Sequence, residues 1–211
     1  MTAEEEVVGS LRPASGGPLT FAAQTQVLRS YLWVEQQLFE TLGSWVTTED
    51  EDSARVFFDV QSRQHAWHAE LFDALLPVPA PLEESRIVGG GPKTTPDGRL
   101  AGLFEEVSGS STTILRLSAL LRVVLPRMVT GYSLHLRRIA FAADQPTART
   151  LRLVLRDAME AFQGGEELLE EQYAALPPAE LGAQADRAGQ ALGRMEEHLA
   201  RGGPGLVALP A

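Results

Sequence analysis

The chain has 211 residues, with 18 Lys and Arg against 28 Asp and Glu, a formal net charge of −10 and no cysteine. That length suits one domain with an appendage, the missing cysteine excludes disulfides, thiolate metal sites and Cys nucleophiles, and the acidic balance argues against nucleic-acid or anionic-membrane partners. No apolar run reaches the ~18 residues of a membrane span, and the acidic MTAEEEVVGS start is unlike a signal peptide, so a soluble, cytoplasmic protein is expected.

Residues 1–18 lack periodicity and are expected to form a flexible N-terminal arm. A first long helix is predicted from about Thr20 to Val46, with Phe21, Leu28, Tyr31, Leu32, Leu38, Phe39, Leu42 and Val46 on one face. Thr48 and Glu51 have capping-box spacing for a second helix over roughly Asp50–Leu76. Residues 77–111 are rich in Pro, Gly and Ser, with room for a short helix at 99–107. Gly89-Gly90-Gly91 within them lacks the Gly-Lys-Ser/Thr ending of a phosphate loop and reads as a hinge. A third long helix is expected over Thr112–Ala142, kinked at Pro126. The fourth covers Thr147–Leu176, opened by Pro146 and weakened at Gly164-Gly165. Pro177-Pro178 ends it, and a fifth helix, 179–200, has a thin apolar stripe suited to a lid or an interface. The domain plan is thus an arm at 1–18, a four-helix bundle at 19–176 and a C-terminal helix and tail at 177–211.

At about 100° per residue, Glu35 falls at the centre of the apolar face of the first helix. In Gln61-Ser-Arg-Gln-His65-Ala-Trp-His68, the residues Gln61, His65 and His68 turn inward on the second. Tyr132 is central on the third helix, flanked by His135. On the fourth, Leu151, Leu155, Ala158, Phe162, Leu169 and Tyr173 form the face, Asp157 and Glu160 read as surface charges, and Glu166, about 40° from Phe162, turns inward if the helix runs straight through Gly164-Gly165. Counting from the two short turns, Glu35 is level with Gln61 and His65. Tyr132 is level with about residue 158, and Glu166 is about 12 Å deeper at 1.5 Å per residue. Trp33 and Trp67 point away from their faces, which favours an oligomer or partner contact. His198 reads as a surface residue.

Short links join the first and second helices and the third and fourth, while a link of about 35 residues joins the second to the third. Two antiparallel pairs with one long crossover is the ferritin-like arrangement; an up-down-up-down bundle with one insert is the alternative. With YLWVEQQLFE around Glu35, QSRQHAWHAELF around His65 and His68, and LRVVLPRMVTGY ending at Tyr132, the chain resembles the ferritin-like superfamily over about 20–176. More narrowly it resembles bacterial ferritin-like proteins of uncertain role. The resemblance implies an all-α, ferritin-like four-helix bundle with a long helix 2–3 crossover and an additional C-terminal helix. The ligand set departs from the family's. His65 stands where the bridging Glu of Glu-x-x-His belongs, Tyr132 or His135 where the third helix supplies a Glu, and the fourth helix has no Glu-x-x-His.

Glu35, His65 and His68 make a two-His, one-carboxylate set, the composition of mononuclear Fe(II) and Zn sites. The expected function is a metal-dependent oxidoreductase or oxygenase. Its metal ligands are Glu35, His65 and His68, its other contacts to a bound group are Gln61 and Tyr132, and its cofactor is iron or another divalent metal. The alternative is a metal-free, non-catalytic ferritin-like protein binding a small ligand or protein partner, in which these residues form a hydrogen-bonded network. His65, His68 and His135 are a further three-His option. Homo-oligomerisation is compatible with each.

Overall fold

The computed structural model describes residues 17–77, 98–140, 142–200 and 204–210, and every regular element among them is helical. The expected arm, apart from residues 17 and 18, and the Gly89-Gly90-Gly91 hinge lie outside the described residues.

Helix α1 is Phe21–Val46, started by Thr20, whose side chain accepts from the Ala23 N–H. Helix α2 is Asp52–Asp73. Its cap differs from the capping box expected at Thr48: the Glu51 carboxylate accepts from the Ser53 and Ala54 N–H groups. The Thr48 hydroxyl instead donates to the Trp45 carbonyl in the last turn of α1. Helix α3, Gly98–Ser108, lies in the long crossover. Helix α4 is continuous in three parts: α-helical Thr113–Ser118, π-helical Ala119–Val124 and α-helical Leu125–Leu136. Helix α5 is Gln145–Ala174, with Pro146 in its first turn, and α6 is Pro178–Leu199.

The π-helical stretch answers the kink expected at Pro126. In an α-helix the proline ring collides with the carbonyl four residues back and offers it no N–H. The turn before Pro126 widens instead, so that the Leu125 N–H bonds the Leu120 carbonyl, five residues back. Gly164-Gly165 likewise does not interrupt α5. A Cβ at Gly165 would stand 2.5 Å from Leu121 Cδ2 and 3.1 Å from Phe57 Cζ, so this glycine serves close helix packing.

Helices α1 and α2 form an antiparallel hairpin, pinned where Ser62 Oγ donates to the Phe39 carbonyl at 2.9 Å. Helix α4 runs antiparallel to α1. The Leu19 N–H bonds the Arg138 carbonyl at one end, and the Arg116 guanidinium lies 5.8 Å from the Trp45 ring centre at the other. Helix α5 returns beside α4, with Glu166 paired to Arg122. The long helices therefore run up, down, down, up, and α2 and α4 are parallel. Only a link spanning the bundle length joins two such helices.

Helix α3, part of that link, covers α1 where the Phe104 ring meets Trp33 edge to face at 5.5 Å. Trp33 is thus buried in part by its own chain. Helix α6 packs Ala188, Ala191, Met195 and Leu199 inward, with Arg194 bonded to Glu106 of α3, and the His198 ring is half-buried against Gly102 of α3. Phe21 and Phe39, expected inside, are exposed. Trp45 takes a core place, stacked edge-on to Phe58. One bundle end is tied by a buried ion pair: Glu49 accepts from Arg116 at 2.8 Å and from Thr113 at 2.6 Å, while Arg116 also bonds Thr48.

No helix of the described residues is long and apolar enough to cross a membrane.

Candidate metal centre

Three long helices contribute to a polar cluster at mid-bundle. Glu35 comes from α1, His65 and His68 from consecutive turns of α2, and Tyr132 from α4. Each is nearly or fully enclosed. His65 Nδ1 lies 2.5 Å from Glu35 Oε2, and the Tyr132 hydroxyl donates to Glu35 Oε1, also at 2.5 Å. His68 Nδ1 is 3.6 Å from the same Oε2. One ligand atom from each of Glu35, His65 and His68 falls within 4.8 Å of the other two, and among the described residues this is the group that can hold a metal ion. The i, i+3 spacing of the two histidines puts both on the side of α2 that faces α1.

Helix α5 adds a residue the periodicity assigned to the surface. Asp157 is buried, and its Oδ2 lies 3.0 Å from His68 Nε2. The face of α5 is turned toward Val154, Asp157, Ala161 and Gly165, because small residues there let the helices approach. Large side chains carried the sequence reading, and a stripe of Ala and Gly carries almost no hydrophobic signal. The level count pointed at residue 158 as the partner of Tyr132's layer, and that was the available clue.

The remaining expectations divide. Gln61 is buried one turn before His65 but forms no hydrogen bond to the cluster. Glu166 is outside it, ion-paired to Arg122 as its depth suggested. His135 is fully buried with its ring 5.7 Å from that of Tyr31, yet it does not join the ligand group. Neither of its ring nitrogens has a hydrogen-bond partner among the described residues.

Burial alone would raise the Glu35 carboxyl, but the charge and hydrogen bond of His65, with those of His68, outweigh it and bring it down to about 2. Burial disfavours a charge on His68, yet Glu35 and then Asp157 raise its pKa above the ordinary value. Burial, then the Glu35 charge, push the Tyr132 phenol well above its usual range, so it remains a donor. Tyr31, Phe72 and Tyr132 pack ring on ring, with centres 4.8 to 5.8 Å apart, and wall one side.

The donor set fits a single ion. A buried carboxylate between two imidazoles has the composition of mononuclear sites, and the buried His65 Nε2 has no partner among the described residues. A dimetal centre does not fit, since α5 offers Asp157 alone near the cluster. The 2.5 Å contact of His65 with Glu35 is a hydrogen-bond distance, so an ion held by these two residues would take the place of the proton between them, and its affinity would rise with pH. Asp157 on His68 Nε2 reproduces the carboxylate–histidine pairing that orients metal-bound imidazoles. Asp157→Asn is expected to weaken metal affinity about 10–100-fold, measured by competition with a chelator of known affinity; unchanged affinity would count against that role.

Comparison with models of known protein families, with curated proteins and with solved structures finds no match.

Proposed function

We propose that the chain is a ferritin-like metalloprotein that holds one divalent ion, iron foremost, on Glu35, His65 and His68 and uses it in oxidoreductase chemistry. The observation that carries this reading is the enclosed convergence of three donor side chains from two helices. The up-down-down-up order with one long link supports the ferritin-like scaffold. A bound iron would supply Lewis acidity and one-electron redox capacity.

The surrounding residues have separate tasks. Tyr132 donates to Oε1 of Glu35 and so leaves Oε2 directed at the imidazoles. Asp157 accepts from His68 Nε2–H, which fixes the ring with Nδ1 on the side of Glu35, where a neutral imidazole would offer that nitrogen to an ion. The two carboxylates, Glu35 and Asp157, balance a divalent charge when both imidazoles are neutral, so such an ion sits in the apolar interior without a large desolvation penalty. The ring wall of Tyr31 and Phe72 keeps water from the carboxylate.

A second reading, a metal-free protein binding a small ligand or partner, has one observation in its favour. Both Glu35 oxygens already accept bonds from within the chain, so protons alone satisfy this carboxylate. Dioxygen uptake separates the two. Protein loaded anaerobically with one equivalent of Fe(II) is expected to consume dioxygen faster than the same Fe(II) in buffer, with the excess lost in His65→Ala. A wild-type rate equal to that of free Fe(II) would contradict the redox reading.

A further inference from the structure

Helix α2 packs against α1 on one side and reaches α5 on another. Its remaining side carries Val56, Val60, Arg63 and Trp67, at steps of four, three and four residues, which align as one stripe along a helix. Val56 is 63% exposed, Val60 54% and Trp67 44%. Exposed Glu70 and Ala74 continue the same steps. Two valines and an indole share one exposed row with Arg63 between them, a mixed apolar and charged strip of the kind that marks an interface.

The charges in the strip select the occupant. Arg63, which also pairs with Asp59 one turn earlier at 2.8 Å, lies in its first half and Glu70 in its second. Laid parallel on a copy of itself, the strip sets like charge over like. Laid antiparallel, it brings Arg63 toward Glu70 of the second copy. A two-fold axis near residue 65 also places each Trp67 indole over the other copy's Arg63, a favourable cation–π arrangement, and sets Val56 against Ala74. We propose that this face of α2 is the interface of a homodimer, in which α2 packs antiparallel on α2 of a second copy of this chain. This inference does not depend on a bound metal.

Sedimentation equilibrium of the full chain tests it, together with a charge exchange. The wild type is expected at twice the 22.9 kDa chain mass. Arg63→Glu and Glu70→Arg are each expected to weaken association at least about tenfold through like-charge contacts. The double variant R63E/E70R is expected to restore the dimer. Positions 63 and 70 are about 10.5 Å apart along one helix, too far to pair within a chain, so restoration reports contact between copies. Circular dichroism of each variant confirms that the helices are retained. A monomeric wild type at micromolar concentration overturns the proposal. So does a dimer unaffected by either single substitution, or one that the double variant fails to restore.

Discussion

His65→Ala is expected to lower bound Fe(II) from about one ion per chain, the occupancy of a three-donor mononuclear site, to background while leaving the helical spectrum unchanged. The residue lies mid-helix, where alanine is the most favourable replacement, and Glu35 has other partners in Tyr132 and, at 3.6 Å, His68 Nδ1. The bundle should therefore stand while the ion loses one of two nitrogen donors. His135→Leu is the matched control. His135 is as deeply buried but is not in the ligand group, so it should leave the metal content at the wild-type value. Elemental analysis after anaerobic loading reads both. Retention in His65→Ala would refute the ligand assignment, and loss in His135→Leu would favour the three-histidine set.

The second large effect concerns acid stability of the metal-free protein. Burial lowers the His135 pKa to about 4, with the Asp144 charge opposing and the Arg138 charge adding to it. The unfolded chain binds this proton near pH 6.5, so between 6.5 and about 4 the unfolded state holds more protons than the native one. The neutral ring's contribution is fully present above pH 6.5 and is lost as pH falls toward 4, a change of about 3 kcal/mol at 1.36 kcal/mol per unit. His135→Leu should remove that portion of the slope. It should also be no less stable at pH 7, since it replaces two unpartnered nitrogens with apolar surface. Urea unfolding at pH 7, 5.5 and 4.5 for both proteins provides the comparison. An identical pH dependence would show that His135 is not responsible.

Much of the helix plan was legible because strong periodicity and proline punctuation coincide. Pro146 opens α5 as read, Pro178, read as a stop for α5, also opens α6, and the long helices end within a few residues of expectation except α4, which stops at Leu136 rather than 142. The inward placement of Glu35, His65, His68 and Tyr132 was legible for a related reason. A polar residue at the centre of an apolar face has nowhere else to point on a straight helix.

What escaped the sequence was set by tertiary packing. Asp157 became an inward residue when Ala158, Ala161 and Gly165 rotated the buried face of α5. Phe39 lost its place because α1 turns Leu38 and Leu42 fully inward. Trp33 acquired a partner only when the crossover helix brought Phe104 to it. Nor does periodicity announce the Glu49–Arg116 pair, which joins the α1–α2 link to the start of α4 across 67 residues.

The most direct test of the central claim is metal analysis of protein purified without an affinity tag or chelator, repeated after anaerobic Fe(II) loading and again with Glu35→Ala. The account predicts one metal ion per chain in the loaded wild type and none in the variant. A loaded wild type without metal, or a variant that keeps it, would contradict the assignment of Glu35, His65 and His68 as a metal centre.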